Sequence, residues 1–468
     1  MNFIFIISDT LRRDHLGCYG NDWISTPHID RFAENSLLFL NAYSASFPTV
    51  PHRRDVLTGR YTASYTGWAP LSGDEVVLPQ VLGPAGYTSM MVADTPHILE
   101  NGYHYDRAFD GFEWIRGQES DRWKTAPEAP EHACDPDKLR NPDMLRKRHR
   151  RNAEWWRYES DTCVARTMTE ACRWLEENYR RENFFLYVDT FDPHEPWDPP
   201  QWYVDMYDPG YEGDVVDYPL YSRTDFLSQA ELKHARACYA GEVSLVDRWV
   251  GRVLEKVEDL GLLEDTVVLL TTDHGFLHGE HSIIGKSLIR GRQMAYIPLY
   301  EEITHIPLVV HYPGVGAGSP AAVVQPMDFM PTVLDLAGAE VPDTVHGESF
   351  APVLRGETDV HREFAVASPY LDVWACAATV TCGKWSAILW SQPEDLPGAE
   401  DKAVDGFAKG PGLEIEREDM LFDLGEDPAQ QSDVAADHPD VLTDLRRRAV
   451  KFWESIGTDE AILQRWRG

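Results

Sequence analysis

The sequence predicts an α/β fold in which a layered domain precedes a smaller C-terminal domain with an antiparallel sheet. Up to about residue 367, continuous apolar runs, typical of strands buried on both faces, alternate with segments of helical periodicity. After residue 368 the pattern changes to short β-like runs and one closing helix. We therefore expect two domains, residues 1–367 and 368–468.

The first domain is expected to contain a central sheet with helices packed on it. The runs that predict strands are residues 3–7, 184–188, 267–270 and 308–310. The runs that predict helices are residues 27–34, 161–179 and 230–260. Asp9 and Asp273 then follow the ends of two strands, at the sheet edge where ligands bind in open α/β folds.

Residues 118–157 interrupt this alternation and are interpreted as an insertion. It contains a basic run over residues 146–151, followed by Trp155 and Trp156. The basic run could contact an anionic substrate or a neighbouring subunit, but we favour an exposed helix face paired with local acids.

The C-terminal domain is predicted to consist of three strands, a long loop and a helix. In chain order these are strands 377–381 and 385–390, the loop 392–412, strand 420–424 and helix 441–456.

Composition and charge exclude several classes of protein. The 468 residues include 43 Lys and Arg against 77 Asp and Glu, a net charge of -34, and 43% are hydrophobic, as in globular proteins. So acidic a surface repels nucleic acid and anionic membranes, and we expect neither as a partner.

The seven cysteines form no CxxC pair, so no disulfide framework or zinc site is indicated. Without a basic n-region or a membrane-spanning stretch, we expect a soluble, cytoplasmic protein.

Three separated segments place hard oxygen donors and histidines near predicted strand ends. They are residues 8–10 (Ser-Asp-Thr), residues 49–59 and residues 271–275 (Thr-Thr-Asp-His-Gly). A single Asp after a strand is more often a helix cap than a ligand. Two carboxylates, a hydroxyl and an imidazole together predict a divalent-cation site.

Taken in order, these segments resemble the sulfatase family of the alkaline phosphatase-like superfamily. Residues 8–20 and 26–30 are similar to its N-terminal signature, and residues 49–59 to its active-site signature, Cys or Ser, any residue, Pro, Ser, Arg, then Leu-Thr-Gly. Residues 273–275, 279–281, 300–307 and 421–424 follow in the family's order. The resemblance covers nearly the whole chain. It implies an alkaline phosphatase-like sandwich with a large mixed central sheet flanked by helices.

Thr49 stands where the resemblance implies a Cys or Ser that is converted to formylglycine. The β-carbon of threonine already carries a methyl group, so oxidation would give a ketone that hydrates poorly, and we expect no formylglycine. A Thr hydroxyl bound to a divalent cation at a helix N-terminus can act as a nucleophile instead. Water can release a phospho-threonine more readily than a sulfo-threonine. The alternative is a Thr that only caps a helix in an inactive relative.

The sequence differs from the family pattern in two further ways, one at a lysine and one among the metal ligands. Asp94 replaces the lysine of the family's Gly-Lys-Trp-His segment, with His97 close by, which resembles the phosphonate monoester hydrolase and phosphodiesterase branch. Thr10 and His274 stand where sulfatases usually offer Asp and Asn. Fewer anionic oxygens and one imidazole favour Mn²⁺, with Zn²⁺, Fe²⁺ or Ca²⁺ as alternatives. Thr10 would be either a ligand or a support for the ligands.

The resemblance also implies roles for single residues. His194 is the expected general acid, Arg53 would hold the nucleophile's oxygen and the phosphoryl group, and Lys286 would add a further cation. The expected catalytic residues are Thr49, Arg53, His97, His194 and Lys286. The expected metal ligands are Asp9, Thr10, Thr49, Asp273 and His274. The residues expected to bind substrate are His52, Trp197 and His281. The alternatives are that His52 only fills space, that Trp197 packs in the core and that His281 supports the metal ligands.

We therefore expect a metal-dependent hydrolase of phosphate diesters or phosphonate monoesters, acting on a small anionic ester. One alternative is a sulfuric ester hydrolase that uses Thr49 directly, or a member whose natural Cys has been replaced. The other is a non-catalytic, metal-binding member. The insertion and the closing helix could each serve a dimer or tetramer.

Overall fold

The strands begin and end close to the predicted apolar runs. The computed structural model describes residues 1–126, 131–290, 293–373, 376–392 and 417–468. In chain order the strands of these residues are β1 (Asn2–Ser8), β2 (Leu37–Leu38), β3 (Asn41–Ala42), β4 (Thr88–Ala93), β5 (Gly111–Trp114), β6 (Phe184–Thr190), β7 (Ser222–Arg223), β8 (Thr266–Thr271), β9 (Leu277–His278), β10 (Ile283–Gly285), β11 (Leu288–Arg290), β12 (Gln293–Ala295), β13 (Leu308–His311), β14 (Val323–Val324), β15 (Ala365–Ala367), β16 (Ala377–Cys382), β17 (Trp385–Trp390) and β18 (Met420–Asp423).

The three main helices of the first domain and the closing helix lie where periodicity predicts them. The α-helices of the described residues are α1 (Pro27–Ala33), α2 (Thr49–Thr58), α3 (Leu78–Leu82), α4 (Pro142–Leu145), α5 (Arg151–Ala153), α6 (Cys163–Asn178), α7 (Gln201–Val204), α8 (Gln229–Asp259), α9 (Glu301–Thr304), α10 (Phe329–Ala337), α11 (Ala351–Leu354), α12 (Pro439–Ser455) and α13 (Glu460–Gln464). The capping box at Ser228, whose Oγ accepts from the backbone N–H of Glu231, fixes the start of α8.

A seven-stranded mixed sheet forms the centre of the first domain, in the order β2-β13-β8-β1-β6-β4-β5. The strands from β8 to β5 are parallel, and β13 runs antiparallel to both of its neighbours. This topology confirms the predicted α/β class with a large mixed central sheet.

Helices cover both faces of this sheet, which explains why its strands are continuously apolar. From β1, Ile4 and Ile6 join the apolar cluster that contains α6 and α8. Phe3, Phe5 and Ile7 join the opposite cluster, with α2 and α10. Each successive side chain is therefore buried, on alternate faces.

The C-terminal sheet is antiparallel, in the order β15-β16-β17-β18. Helix α12 packs on it through Leu445, Ala449 and Trp453, in one apolar cluster with strand residues and with Phe47 of the first domain. Strand β15 begins three residues before the predicted boundary at 368, and the division into two domains stays a prediction. Almost all of the loop predicted over residues 392–412 lies outside the described residues.

Two residues of the basic run are held by acids that lie outside the insertion. His149 Nε2 lies 2.8 Å from Asp198 Oδ2, and Arg150 contacts both Asp198 and Asp217. Lys147 remains exposed beside Asp143. All seven cysteines are free. Over the described ranges, every helix is too short or too polar to cross a bilayer.

Candidate active site

Two neighbouring strand ends bring buried metal-binding groups together. Asp9 directly follows β1, and Asp273 and His274 follow β8, its parallel neighbour. One ligand atom from each of these three residues lies within 4.8 Å of the other two. The carboxyl ends of parallel strands meet at one sheet edge, which accounts for this cluster.

The chemistry of these donors fits a divalent metal ion. His274 Nδ1 donates to the carbonyl oxygen of Gly275 at 2.9 Å, which leaves Nε2, 3.4 Å from Asp273 Oδ2, as the ring nitrogen for a cation. Burial lowers the pKa of His274 to about 3 and so keeps the imidazole neutral. Burial and the adjacent Asp273 raise the pKa of Asp9, a repulsion that a bound cation relieves.

Thr10 holds both carboxylates of this group. Its hydroxyl donates to Asp9 Oδ1 at 2.7 Å and its backbone N–H to Asp273 Oδ1 at 3.0 Å. The backbone of Thr10 is left-handed, with φ 64°, and its carbonyl accepts from the Tyr239 hydroxyl at 2.8 Å. Through these hydrogen bonds Thr10 supports the carboxylates that would bind the metal. A direct bond from Thr10 to the metal stays a prediction.

Arg53 is buried among three carboxylates. Its Nη1 donates to Asp9 Oδ2 at 2.9 Å and also to Asp273. Its Nε and Nη2 form a bidentate pair with Asp189, at 3.0 and 3.1 Å. The expected contact of Arg53 with the nucleophile is seen only as a 3.4 Å bond from Nη1 to the carbonyl oxygen of Thr49. Arg53 therefore neutralises the strand-end acids and fixes them in place.

Thr49 is the first residue of α2 and lies in the wall of a cavity of about 390 Å³. The N-terminus of a helix carries partial positive charge and favours an anion at this position. About half of the residues that line the cavity are apolar or aromatic. Its aromatic and aliphatic members are Phe47, Trp68, Met144, Tyr218, Tyr221, Ile289, Met294 and Tyr296, and its polar members include His97, Glu119, Ser120, Arg140, Asn141, His194, Lys286 and Ser287.

Lys286 joins the metal-binding group to the cavity. Its Nζ lies 3.0 Å from His194 Nε2 and 3.2 Å from His274 Nε2. His194 Nδ1 donates to the carbonyl oxygen of Glu195 at 2.8 Å, so Nε2 is an acceptor for the ammonium group. Burial and the charge of Lys286 lower the pKa of His194 well below its usual value. The carboxylate of Glu195 also lies near, with Oε2 3.1 Å from His194 Nδ1. The role of His194 as general acid stays a prediction.

Asp94 and His97 have different surroundings. Asp94 is buried and accepts from Thr167 Oγ1 at 2.7 Å, Thr190 Oγ1 at 2.9 Å and the backbone N–H of Phe191. It thus fixes the start of the loop that carries His194. His97 instead borders the cavity.

The three residues expected to bind substrate lie outside the wall of this cavity. His52 is buried and has no hydrogen-bond partner on either ring nitrogen among the described residues, and burial lowers its pKa to about 3. Trp197 packs in the core and donates to the carbonyl oxygen of Pro193 at 3.1 Å. His281 stacks on Tyr300 at a centroid distance of 3.5 Å. Trp197 thus packs in the core, and its role in binding substrate stays a prediction.

Comparison of the sequence with known protein families identifies the family of this chain. Residues 1–339 match the family named Sulfatase. This chain belongs to the sulfatase family. A similar curated protein is the N-acetylglucosamine-6-O-sulfatase of Bacteroides thetaiotaomicron, 26% identical over 79% of this chain and 73% of that protein.

Solved structures of two activities share the fold of this sulfatase-family protein. The phosphonate monoester hydrolase from Silicibacter pomeroyi superposes with a TM-score of 0.72 at 22% identity, over 98% of this chain and 96% of the other. A 2-O GAG sulfatase superposes with a TM-score of 0.68 at 18% identity, over 100% and 97% of the two chains. At these identities the likeness concerns the fold and leaves the substrate open.

Three residues at the site of this sulfatase-family protein were not predicted from the sequence. Asp189 is the penultimate residue of β6, which pairs with β1, so its place near a strand end was a usable signal. Glu119 and Arg140 belong to the insertion and line the cavity. No local pattern marks these two, because their partners are brought by tertiary contacts.

Proposed function

We propose that this protein hydrolyses phosphate diesters or phosphonate monoesters, with unmodified Thr49 as the nucleophile and a divalent metal ion, Mn²⁺ by preference, as cofactor. The observation that carries the proposal is the place of Thr49, which begins α2 and borders the same cavity as His194 and Lys286. The β-methyl group of Thr49 argues against formylglycine, and Asp94 replaces a lysine that would contact sulfate.

The charges around Thr49 support a requirement for the metal. Asp9, Asp189 and Asp273 are buried within reach of two cations, Arg53 and Lys286. The group is therefore net negative by itself, which opposes an anionic ester. A divalent cation held by Asp9, Asp273 and His274 makes it net positive, and when bound it would also lower the pKa of the Thr49 hydroxyl.

The reaction then proceeds by two displacements at phosphorus. The Thr49 oxygen attacks phosphorus and loses its proton to water, while the bond from phosphorus to the leaving oxygen breaks. Lys286 and the N-terminus of α2 stabilise the charge on the non-bridging oxygens. Water then attacks the phospho-threonine, and Thr49 regains a proton as it departs.

The shape of the cavity favours a compact leaving group with an aromatic or apolar body. Trp68, Tyr296 and Met294 supply this character beside Thr49, within a volume of about 390 Å³. An aryl phosphodiester or aryl phosphonate fits such a wall, whereas a charged polymer would leave apolar surface unmatched.

A second candidate is hydrolysis of sulfate esters. The observation in its favour is that the curated relatives, such as the N-acetylglucosamine-6-O-sulfatase, are named sulfatases. In that case Thr49 would attack sulfur directly.

The test is a rate comparison on one leaving group. Mn²⁺-loaded protein is assayed against the p-nitrophenyl esters of a phosphodiester, a phosphonate, a phosphate monoester and a sulfate. We expect the phosphodiester or the phosphonate to have the highest kcat/KM. Higher turnover of the sulfate would overturn the proposal, and no turnover of any ester would support a non-catalytic member.

Two substitutions of similar size separate the Thr49 hydroxyl from its methyl group. Thr49→Val keeps the shape and removes the oxygen, and we expect kcat to fall by about 10³-fold or more. Thr49→Ser keeps the oxygen and should retain activity within about tenfold. Intact-mass measurement after rapid quenching should show an adduct on wild type and on Thr49→Ser, and none on Thr49→Val.

A further inference from the structure

A second groove lies between the C-terminal sheet and loops of the first domain. The residues that line it come from the turn between β16 and β17 and the loop after β18, and from the loop after β1, strand β3 and the segment of α9. Its volume is about 680 Å³, and of the described residues none lines both this groove and the cavity that contains Thr49. A space of this size suits a small organic molecule.

Five Asp, Glu, Lys and Arg side chains line the groove, and three of them are matched by neighbours. The matched pairs are Glu301 with His305, Asp14 with Arg12, and Lys384 with Asp423. The remaining two are Arg13 and Glu302, which carry opposite charges. Because the matched pairs are close to neutral as seen by a ligand, these two side chains decide which ligand the groove favours.

Arg13 presents a guanidinium group without an acceptor. Among the described residues, none accepts a hydrogen bond from its side chain or forms an ion pair with it, and Nε is buried without a partner. Its guanidinium carbon lies 4.3 Å from the centroid of the Tyr19 ring, which orients the planar group. A guanidinium group oriented in this way can donate two parallel hydrogen bonds to a carboxylate.

Glu302 presents a carboxylate without a donor. Its side chain is 12% exposed, and Oε2 is buried without a hydrogen-bond partner, since His281 Nε2 lies 3.6 Å away. Glu302 also feels the charge of Arg12, but that guanidinium group is already bound by Asp14 and Glu280. A largely buried carboxylate without a donor costs free energy, which an ammonium group in the groove would recover.

We propose that this groove binds a small amino carboxylate, with the carboxylate of the ligand on Arg13 and its ammonium group on Glu302. Leu424, Pro428 and Ala429 add an apolar stretch of wall for an aliphatic body. A ligand with only one charge leaves either Arg13 or Glu302 unmatched, so a zwitterion has the advantage of both contacts. The proposal does not depend on the proposed hydrolysis.

The groove is built on the two loops that carry the metal-binding group. Arg13 belongs to the loop that begins with Asp9. The backbone carbonyl of Glu302 packs so closely on Gly275, the residue after His274, that a Cβ would not fit there. A ligand held by Arg13 and Glu302 would therefore link the loop after β1 to a segment packed on the loop after β8. Its binding should raise the midpoint of thermal unfolding as its concentration rises.

Titration calorimetry on the whole chain tests the proposal. The probes are glycine, 4-aminobutanoate and 6-aminohexanoate, each beside the alkyl carboxylate and the alkylamine of the same length. We expect at least one amino carboxylate to bind, one molecule per chain, with a Kd at least about tenfold lower than that of either single-charge analogue. Equal affinity for a single-charge analogue would overturn the proposal, and so would the absence of binding by all three amino carboxylates at about 10 mM.

Two variants locate the probe that binds. Arg13→Gln and Glu302→Gln each remove one of the two charges, and each should weaken binding of that probe by about tenfold or more. Arg173→Gln and Glu170→Gln remove an exposed pair on α6, outside the groove, and should change the affinity by less than about twofold. Unchanged affinity in Arg13→Gln and Glu302→Gln would place the probe elsewhere and overturn the assignment. Calorimetric unfolding without ligand shows which variants are folded, and the single-charge analogues test wild type if one is not.

Discussion

At the scale of single residues, the proposed chemistry depends on one methyl group of Thr49. The methyl group argues against an aldehyde at this position, while the hydroxyl is the proposed nucleophile at the start of α2. Arg53 and Lys286 supply the fixed positive charges around it. The proposed preference for phosphorus over sulfur therefore rests on this residue and on Asp94.

Asp55 makes the placement of α2 sensitive to pH. It is buried in the middle of α2 and accepts from the backbone N–H groups of Ser46 and Thr62, at 2.7 and 2.8 Å. Burial raises the pKa of Asp55 to about 7. The folded protein thus binds a proton that the unfolded chain has released above pH 4. The contribution of Asp55 to stability is therefore greatest below about pH 4 and is lost as the pH rises to about 7.

We expect Asp55→Asn to remove this dependence. The difference in unfolding free energy between wild type and Asp55→Asn should shrink by about 2–4 kcal/mol between pH 5 and pH 8, since wild type loses stability and the amide does not titrate. Urea unfolding at the two pH values measures it. Asp343→Asn, at an exposed carboxylate, is the control and should show no such change. A constant difference would contradict a raised pKa of Asp55.

At the scale of elements, the insertion is part of the site rather than an appendage. It contributes Glu119 and Arg140 to the cavity, and its basic run is anchored to acids of the first domain through His149 and Arg150. The anchor is largely buried, since Arg150 exposes 15% of its side chain and Asp217 only 5%. Loosening the anchor should therefore disturb the cavity.

Arg150→Met tests the anchor by leaving two acids without their cation. We expect a loss of about 2–4 kcal/mol in unfolding free energy, because breaking a buried ion pair leaves an uncompensated charge. Hydrogen exchange should quicken over residues 136–153, with a fall in kcat/KM. Lys147→Met removes an exposed pair of the same run and should cost less than about 0.5 kcal/mol. Equal effects of the two variants would contradict the role of burial.

At the scale of the whole molecule, the net charge of -34 opposes the compact state. Added salt screens this repulsion, so we expect Tm to rise by several degrees between about 20 mM and about 500 mM NaCl. Calorimetry with NaCl and KCl in parallel measures the effect and separates screening from binding of a particular ion. A Tm that falls with salt would show that ion pairs outweigh the repulsion.

Much of the fold was predictable because burial leaves a local pattern. Strands β1, β6 and β8 are apolar throughout since helices cover both faces of the sheet. Strands β4 and β5 were missed. Strand β5 lies at the sheet edge, where Phe112 is 49% exposed, so it lacks a continuous apolar run.

The sequence by itself determined the α/β class, the family and the meeting of Asp9, Asp273 and His274. Strand ends are set by local pattern, and parallel pairing brings them to one edge of the sheet. Only the tertiary structure decided what surrounds them. It pairs Arg53 with Asp189 across 136 residues, and it places Glu119 of the insertion on His97. Such contacts depend on how separate elements pack, which no spacing along the chain encodes.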